Sequence, residues 1–405
     1  NQDLINNFSK LLIKKKENIF FDRKRFKGTS LNLDKIKPQE YDRGKIMNQY
    51  PSFTNVFTKS KKYLPQDIAY AAEHLVAKNF IETLILIKKK TKLKNIVFTG
   101  GLFSNVSLNH KIVMSNIFDK TFFCVAPSDA GLSLGGAKLI NFLKNKTRFK
   151  NLNPYIGPSF SDKEILSLIK SFNLNYTVSS IPEKIGAKFI SRGKVIGWFQ
   201  GRGEIGHRAL GNRSILADPR KSNSKNMVNQ HLKKRDWFMP YAPAVLEEDM
   251  SLFTNMKYNS PYMQVAFSIK KELKSKIRST IHHDNTARVQ SVSKKINKKF
   301  WNLINNFKKI TGVGAIMNTS FNRHGISTIS SPRQAIEHLL EGCMDVLIIS
   351  KYIILYKENR KHGIKSKKLI GDEENLKNLC KTRFENIKKY LNKKDKIFYL
   401  NCLKK

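Results

Sequence analysis

Two short apolar runs constrain this chain more than any other feature. Lys94–Thr99 (Lys-Asn-Ile-Val-Phe-Thr) ends at Gly100-Gly101, and Thr121–Ala126 (Thr-Phe-Phe-Cys-Val-Ala) ends at Pro127. Each is too short for a helix, carries β-branched or aromatic residues, and stops where a strand would be broken. Helical patterns flank both. Ile68, Ala72, Leu75, Val76, Phe80 and Leu84 recur at three- and four-residue spacings upstream. A helix starts near Ser104, and a Gly-rich helix runs from about Ala130 to Leu143. Strand, turn and helix, twice in succession, predict an α/β layer with a mainly parallel sheet.

The pattern resumes beyond residues 146–160, whose Asn, Pro and Gly without periodicity read as a linker. Ser161-x-x-Glu164 has the form of a capping box opening a helix. Strands are expected at Lys194–Gln200, Tyr262–Ser268, Thr286–Val292, Gly314–Asn318 and Val346–Ser350, with helices at Glu183–Ser191, Asn297–Thr311 and Pro332–Leu340. This second α/β region closes near Tyr356. Residues 1–50 read as an irregular insertion, and 358–405 as a Lys-rich extension with a helix around Leu376–Leu391. There is no internal repeat.

Composition narrows the function classes. No run approaches the ~20 apolar residues of a membrane helix, and no secretory signal is visible. The four cysteines, Cys124, Cys343, Cys380 and Cys402, form no Cys-x-x-Cys pair, which argues against a zinc site or a disulfide framework and makes the cytoplasm the default. The formal charge of +44 would suit a polyanion. The excess is scattered lysine, however, in short runs such as Lys14–Lys16 and Lys88–Lys90, and it accompanies abundant Asn and Ile. That reads as compositional bias and argues against a dedicated nucleic-acid partner, while leaving a positive field that attracts phosphorylated substrates. The chain opens Asn-Gln-Asp, which leads us to expect further sequence upstream.

Four segments could carry chemistry. Gly100-Gly101-Leu-Phe-Ser-Asn105 lies between a strand and a helix, where glycines admit a ligand close to the backbone and the helix start offers N–H groups to an anion. Taken alone, a tight turn between strand and helix explains it better. Pro127-Ser-Asp129-Ala-Gly131 also follows a strand, and Asp129 can cap a helix or bind a metal. Gly201-Arg202-Gly-Glu204-Ile-Gly206-His-Arg208-Ala-Leu-Gly211-Asn212-Arg213-Ser214 is the densest, with four glycines and three arginines in fourteen residues. Arginine forks grip phosphate or carboxylate, and so many glycines are poorly explained by a solvated loop. The last group comprises Lys234-Arg235, His282-His-Asp284-Asn-Thr-Ala-Arg288 and Asn318-Thr319-Ser320-Phe-Asn322. His282 and Asp284 have the spacing of an acid–base or metal pair, or of a turn with local hydrogen bonds.

Taken in order, these segments resemble the O-carbamoyltransferases of antibiotic and nodulation-factor biosynthesis. The matching stretches are Gly100-Gly101-x-x-x-Asn105-x-x-x-Asn109, Pro127-x-Asp129-Ala-Gly131, the long run from Gly197 to Pro219, Pro240-x-Ala-Pro-Ala-Val-Leu246, Asp284-x-Thr-Ala-Arg288-x-Gln290 and Asn318-Thr-Ser-Phe-Asn322. They span roughly residues 65–355. The resemblance implies the second lobe of an actin-like, Kae1-like transfer domain in residues 1–150, with an insertion at 1–64, and a YrdC-like domain in 151–357. It further implies that the YrdC-like domain joins carbamoyl phosphate to ATP, with Mg2+, giving carbamoyl-adenylate and pyrophosphate. The Kae1-like domain would then pass the carbamoyl group to a hydroxyl of a sugar, glycan or other small molecule. Family roles fall on Arg202, Glu204, Arg208, Arg213, Lys234, Arg235, His282, Asp284 and Arg288 in catalysis. Gly100, Gly101, Asn105, Gly131, Asn212, Ser214, Asn318, Thr319, Ser320 and Asn322 would bind nucleotide or carbamoyl phosphate. Asp129 would bind a divalent metal, usually Fe2+.

The chain departs from the family pattern in places. It has no His-x-x-x-His before residue 65 to partner Asp129, Met239 stands where an arginine is usual, Gly203 and His207 are unusual in the Arg-rich loop, and Ile326-Ser327 replaces a Glu-Pro. Three alternatives use related folds or none of the chemistry: threonylcarbamoyl transfer to tRNA, hydrogenase-maturation carbamoyl transfer, whose Cys-rich zinc-finger elements do not appear in this sequence, and a non-catalytic fragment. A homodimer is left open.

Overall fold

The computed structural model describes residues 12–15, 18–21, 65–146, 153–233, 239–323 and 326–362. The expected helix at 376–391, most of the extension and the pair Lys234-Arg235 lie outside the described residues. Among the described residues no helix is long and apolar enough to cross a membrane. The chain divides into two compact units, one of Asn1–Lys144 with Gln264–Ala266, the other of Asn145–Met263 and Phe267–Lys405.

In the first unit β1 (Leu12–Lys15) and β2 (Asn18–Phe21) form an antiparallel pair. Helix α1 (Pro65–Thr91) precedes β3 (Asn95–Phe98), which pairs in parallel with β4 (Lys120–Phe123). Helix α2 (Val106–Met114) makes the crossover, and α3 (Leu132–Asn145) follows β4. The parallel pair expected from the two apolar runs is therefore present. Phe98 stacks on Phe123, centroids 5.1 Å apart, and Phe103 closes on Phe98 at 4.7 Å.

The second unit is built on an eight-stranded sheet in the order β11-β8-β12-β7-β6-β13-β14-β5. Its strands are β5 (Thr177–Val178), β6 (Ile196–Phe199), β7 (Arg213–Ala217), β8 (Ala242–Leu246), β11 (Gln290–Val292), β12 (Ala315–Ser320), β13 (Val346–Ile349) and β14 (Tyr352–Leu355). Only β11–β8 and β13–β6 pair in parallel; the other neighbours are antiparallel. The sheet is mixed, within the α/β class expected of this region. Strands β6, β7, β8 and β13 are buried along their whole length, as expected for a sheet covered on both faces.

Helix α4 (Asp162–Ser171), opened by the Ser161/Glu164 capping box, and α8 (Pro332–Leu340) share a core with Phe199, Ile215, Met317 and Ile349. The alternate side chains meet α5 (Pro182–Ser191) and α7 (Lys298–Thr311). There a Cβ on Gly186 would lie 3.1–3.4 Å from Leu303, Ile348 and Ile196. Gly197 is required on the first face, since a Cβ there would sit 2.4 Å from the Met344 sulfur.

Six strands were not expected: β1 and β2, in residues read as irregular, and β5, β7, β8 and β14; two of these run against strand preference. Strand β7 begins at an arginine inside the presumed loop, and β8 contains Pro243, which the ladder tolerates because β11 pairs with β8 only from Ala244 onward. Two expected strands shrink. From Tyr262–Ser268 only β9 (Phe267–Ser268) remains, because Gln264–Ala266 join the first unit; Thr286–Val292 splits into β10 (Thr286–Ala287) and β11.

Candidate functional site

The Arg- and Gly-rich segment between β6 and β7 holds itself together from within. Glu204 Oε1 accepts the backbone N–H groups of Leu210, Asn212 and Arg213 at 2.9, 2.7 and 3.0 Å. Arg213 is buried beneath, and its guanidinium donates to four carbonyls: Gln200 at 2.8 Å, Asn212 at 3.0 Å, Pro158 and Gly201 at 3.1 Å each. It also lies flat on Phe199, 3.6 Å from the ring centroid. Burial pulls this guanidinium down to about 10, and the Glu204 carboxylate opposes the shift. Gly211 takes φ 106 where a Cβ would meet the Phe300 ring at 2.2 Å, so only glycine serves.

Buried amides pin the far side of the loop. Asn212 Nδ2 donates to Arg202 O at 2.7 Å, and Asn297 Nδ2 donates to Asn212 Oδ1 at 3.0 Å. The Ala209 carbonyl takes Asn318 Nδ2 at 3.1 Å; the Leu210 carbonyl takes Gln290 Nε2 at 2.9 Å and the Tyr155 hydroxyl at 2.8 Å. Burial drives the Tyr155 phenol far above its ordinary value, so it stays a donor. Ser214 Oγ accepts from Gly211 N–H at 3.1 Å, and Arg202 donates to Ile156 O at 2.8 Å. In this structure Glu204, Asn212, Arg213, Ser214 and Asn318 therefore spend their hydrogen bonds on building the loop.

That frame presents His207 and Arg208. His207 is held below its ordinary value by burial first, then by Arg208 and Arg288. Arg288 also acts on His282, which burial drives down to about 4 with help from Arg288 and Lys225, against Asp284. Lys225 stands on α6 (Asn223–Val228) and is itself lowered by burial. Arg288 thus acts on both imidazoles, Arg208 on His207 and Lys225 on His282. Burial would raise the Asp284 carboxyl, but hydrogen bonds from the Thr286 hydroxyl and amide and the nearby His282 hold it low.

A second cluster sits at the end of β12. Lys233 is buried, and its ammonium lies 2.6 Å from Ser320 O, 3.0 Å from Ser320 Oγ and 2.6 Å from Asn322 Oδ1. Ser320 Oγ also donates to Asn322 Oδ1 at 2.6 Å. Lys233 was not singled out from the sequence; the expectation for Lys234-Arg235 lies outside the described residues. Thr319 is buried and paired with Ile215 across β12–β7. Lys225, Lys233, Tyr155, Gln290 and Asn297 were not among the predicted site residues.

In the first unit, Asn105 caps α2, accepting from Ser107 and Leu108 N–H at 3.0 Å each. Gly100 adopts φ 109, and its N–H donates to Pro127 O at 2.5 Å, which locks the two strand-end turns together; Gly101 opens the single turn that leads to Asn105. Gly131 lies so close to the end of β4 that a Cβ would be 2.1 Å from Ala126 O. Asn109 is buried and donates to Phe103 O at 2.8 Å and Gln264 O at 2.7 Å. Asp129 is exposed in the turn before α3. Among the described residues no three His, Cys, Asp or Glu side chains come together to hold a metal ion. One carboxylate does not make an iron centre, so the described donor set does not fit that metal.

The chain has known kin. A family model described as the carbamoyltransferase N-terminus matches residues 23–138, and one described as the carbamoyltransferase C-terminus matches 187–356. The nodulation protein NolNO of Sinorhizobium fredii is 34% identical over 306 residues, 74% of this chain and 44% of that protein. The nodulation protein NolO of Bradyrhizobium diazoefficiens is 31% identical over 335 residues, 81% and 60% of the two chains. An uncharacterized protein of Methanocaldococcus jannaschii is 32% identical over 339 residues, 82% and 55%. The chain thus spans about half the length of these relatives. The self-built loop, Arg288, and the Asn318–Asn322 strand end all lie inside the C-terminal match, the strand-end turns of the first unit lie inside the N-terminal one, and the chain belongs to the carbamoyltransferase family of transferases.

Proposed function

We propose that the second unit activates carbamoyl phosphate with ATP and that the chain serves an O-carbamoyltransferase. Carbamoyl phosphate, Mg2+-ATP and water would go to carbamoyl-adenylate, pyrophosphate and inorganic phosphate. The observation that carries this reading is a loop fixed by buried amides that presents Arg208 and His207, with Arg288 acting on both His207 and His282 and Lys225 on His282. Two polyanionic substrates repel each other. Bringing them together requires cations that are already in place, because groups that must reorganise during reaction stabilise charge poorly. Lys233, held between Ser320 and Asn322, supplies a further buried cation at the end of β12.

In this reading the second unit is a YrdC-like domain and the first is the second lobe of a Kae1-like domain, working in the cytoplasm. Gly100, Gly101 and Asn105 would approach the nucleotide during transfer to an acceptor hydroxyl; no step is assigned to a metal there. The acceptor would be a hydroxyl of a sugar, a glycan or another small molecule.

The test is pyrophosphate release by the chain with ATP and Mg2+, with and without carbamoyl phosphate. Release that depends on carbamoyl phosphate, and falls by about 100-fold or more in Arg208→Ala, supports the reading. A folded chain that gives the same release without carbamoyl phosphate, or none with it, refutes it.

A further inference from the structure

His282, Thr286 and Asp284 form a relay that fixes one tautomer. Asp284 Oδ1 can only accept, so the Thr286 hydroxyl, 2.7 Å away, donates its proton there. Thr286 Oγ1 must then accept at its other contact, 2.9 Å away, and His282 Nδ1 carries the ring proton. The main chain holds this geometry: His282 N–H donates to Thr286 O at 2.7 Å, Asn285 N–H donates to His282 O at 3.0 Å, and Thr286 N–H donates to Asp284 Oδ1 at 3.0 Å. Nε2 is left with a bare lone pair. It is buried and has no hydrogen-bond partner among the described residues. A bare acceptor shut away from water costs free energy, and such a group calls for a reason.

The surroundings give one. Arg288 and Lys225, the cations that act on His282, offer only donors, which suits phosphate oxygens. Carbamoyl phosphate also carries an –NH2, which offers only donors and finds nothing to bind on those cations. His207 is only partly shielded from solvent and Asp284 is exposed at the open end of the relay; the fixed lone pair is on His282. Resting on the reading above, we infer that His282 Nε2 accepts a hydrogen bond from the carbamoyl –NH2 and is the residue by which the site distinguishes carbamoyl phosphate from other acyl phosphates. The lone pair is closed in this structure, so the substrate reaches it as a neighbouring side chain turns aside, a common adjustment on binding. The low proton affinity of the ring keeps the acceptor available near neutral pH.

Acetyl phosphate is the probe, since it replaces –NH2 by –CH3 and keeps the phosphate. Binding of carbamoyl phosphate and of acetyl phosphate to the full chain is measured by calorimetry, beside pyrophosphate release, for the wild type and for His282→Leu, His282→Gln and Thr286→Val. The wild type is expected to favour carbamoyl phosphate by about tenfold or more, the worth of one hydrogen bond. His282→Leu should erase that preference by weakening carbamoyl phosphate alone. His282→Gln, which keeps an acceptor, should restore part of it, and Thr286→Val, which frees the tautomer, should lose part of it. An unchanged preference in His282→Leu, an equal loss for both ligands, or a wild type without preference would overturn the inference. If preference follows His282 but carbamoyl phosphate elicits no pyrophosphate, the adenylation reading fails and this one stands. If pyrophosphate is released and preference ignores His282, the reverse holds.

Discussion

Asn318 Nδ2 lies 2.9 Å from Gln290 Oε1, and the same nitrogen lies 3.1 Å from the Ala209 carbonyl. One buried amide thus ties β12 to β11 and both to the residue after Arg208. Replacing Asn318 by Leu keeps the volume but leaves two buried oxygens without a donor. We expect a loss of about 1–3 kcal/mol, read as a lower urea midpoint with an unchanged slope. An unchanged midpoint would mean that the loop does not depend on this amide.

Glu204 has the residue type of a general base, yet its Oε1 is occupied by three amides. Glu204→Gln keeps an acceptor oxygen and removes the charge that strengthens those bonds. Stability should drop by about 1–2 kcal/mol, with pyrophosphate release reduced in proportion to the disturbed loop and its pH profile unmoved. A shifted acidic limb in that profile would show instead that Glu204 handles a proton.

Sequence reading captured the elements whose local signals are strong and missed what depends on three-dimensional company. The strand–turn–helix order around Gly100 and Pro127 was legible because short apolar runs ending in breakers have few other folds. Strands β7 and β8 were not, because Arg213 at a strand start and Pro243 inside one contradict strand preference, and only the neighbours in the sheet explain them. The Arg-rich segment stood out by composition, but composition cannot separate Arg208 from Arg213. One acts on His207; the other donates to four carbonyls. His282 and Asp284 were flagged by spacing, while the link between them, Thr286, needed the folded turn.

Lys233 and Lys234 make the same point testable. Lys233 Nζ is 2.6 Å from Asn322 Oδ1, so Lys233→Met removes a buried cation and leaves Ser320 and Asn322 without it. Pyrophosphate release should fall by about 100-fold or more, and the fall should exceed that of Lys234→Met. Equal losses in the two variants would deny Lys233 its separate role.

Arg213→Met should be among the most damaging changes in the second unit. All four guanidinium contacts go at once; Asn212 O and Pro158 O keep the N–H groups of Gln200 and Gly203, but Gln200 O and Gly201 O lose the Arg213 donor, and each buried acceptor left bare carries its own desolvation cost. We expect at least about 3 kcal/mol and, if the variant accumulates at all, a markedly lower melting temperature. Arg213→Lys should recover little, because a single ammonium cannot span the positions that the planar fork reaches.

The pH dependence of stability follows from His282. Its ordinary value is 6.5 and the fold depresses it to about 4, chiefly by burial. Between those values the unfolded chain binds a proton that the folded chain refuses, so lowering the pH favours unfolding. The full contribution is present above about 6.5, shrinks as the pH falls toward 4, and is gone below that. The range corresponds to about 3 kcal/mol, and His207, displaced in the same direction, adds to it. Urea unfolding of the wild type from pH 7 to pH 4 should therefore show a steeper decline than the same titration of His282→Gln. Parallel curves would mean that His282 titrates alike in both states, and that its burial in the turn with Thr286 and Asp284 does not persist in solution.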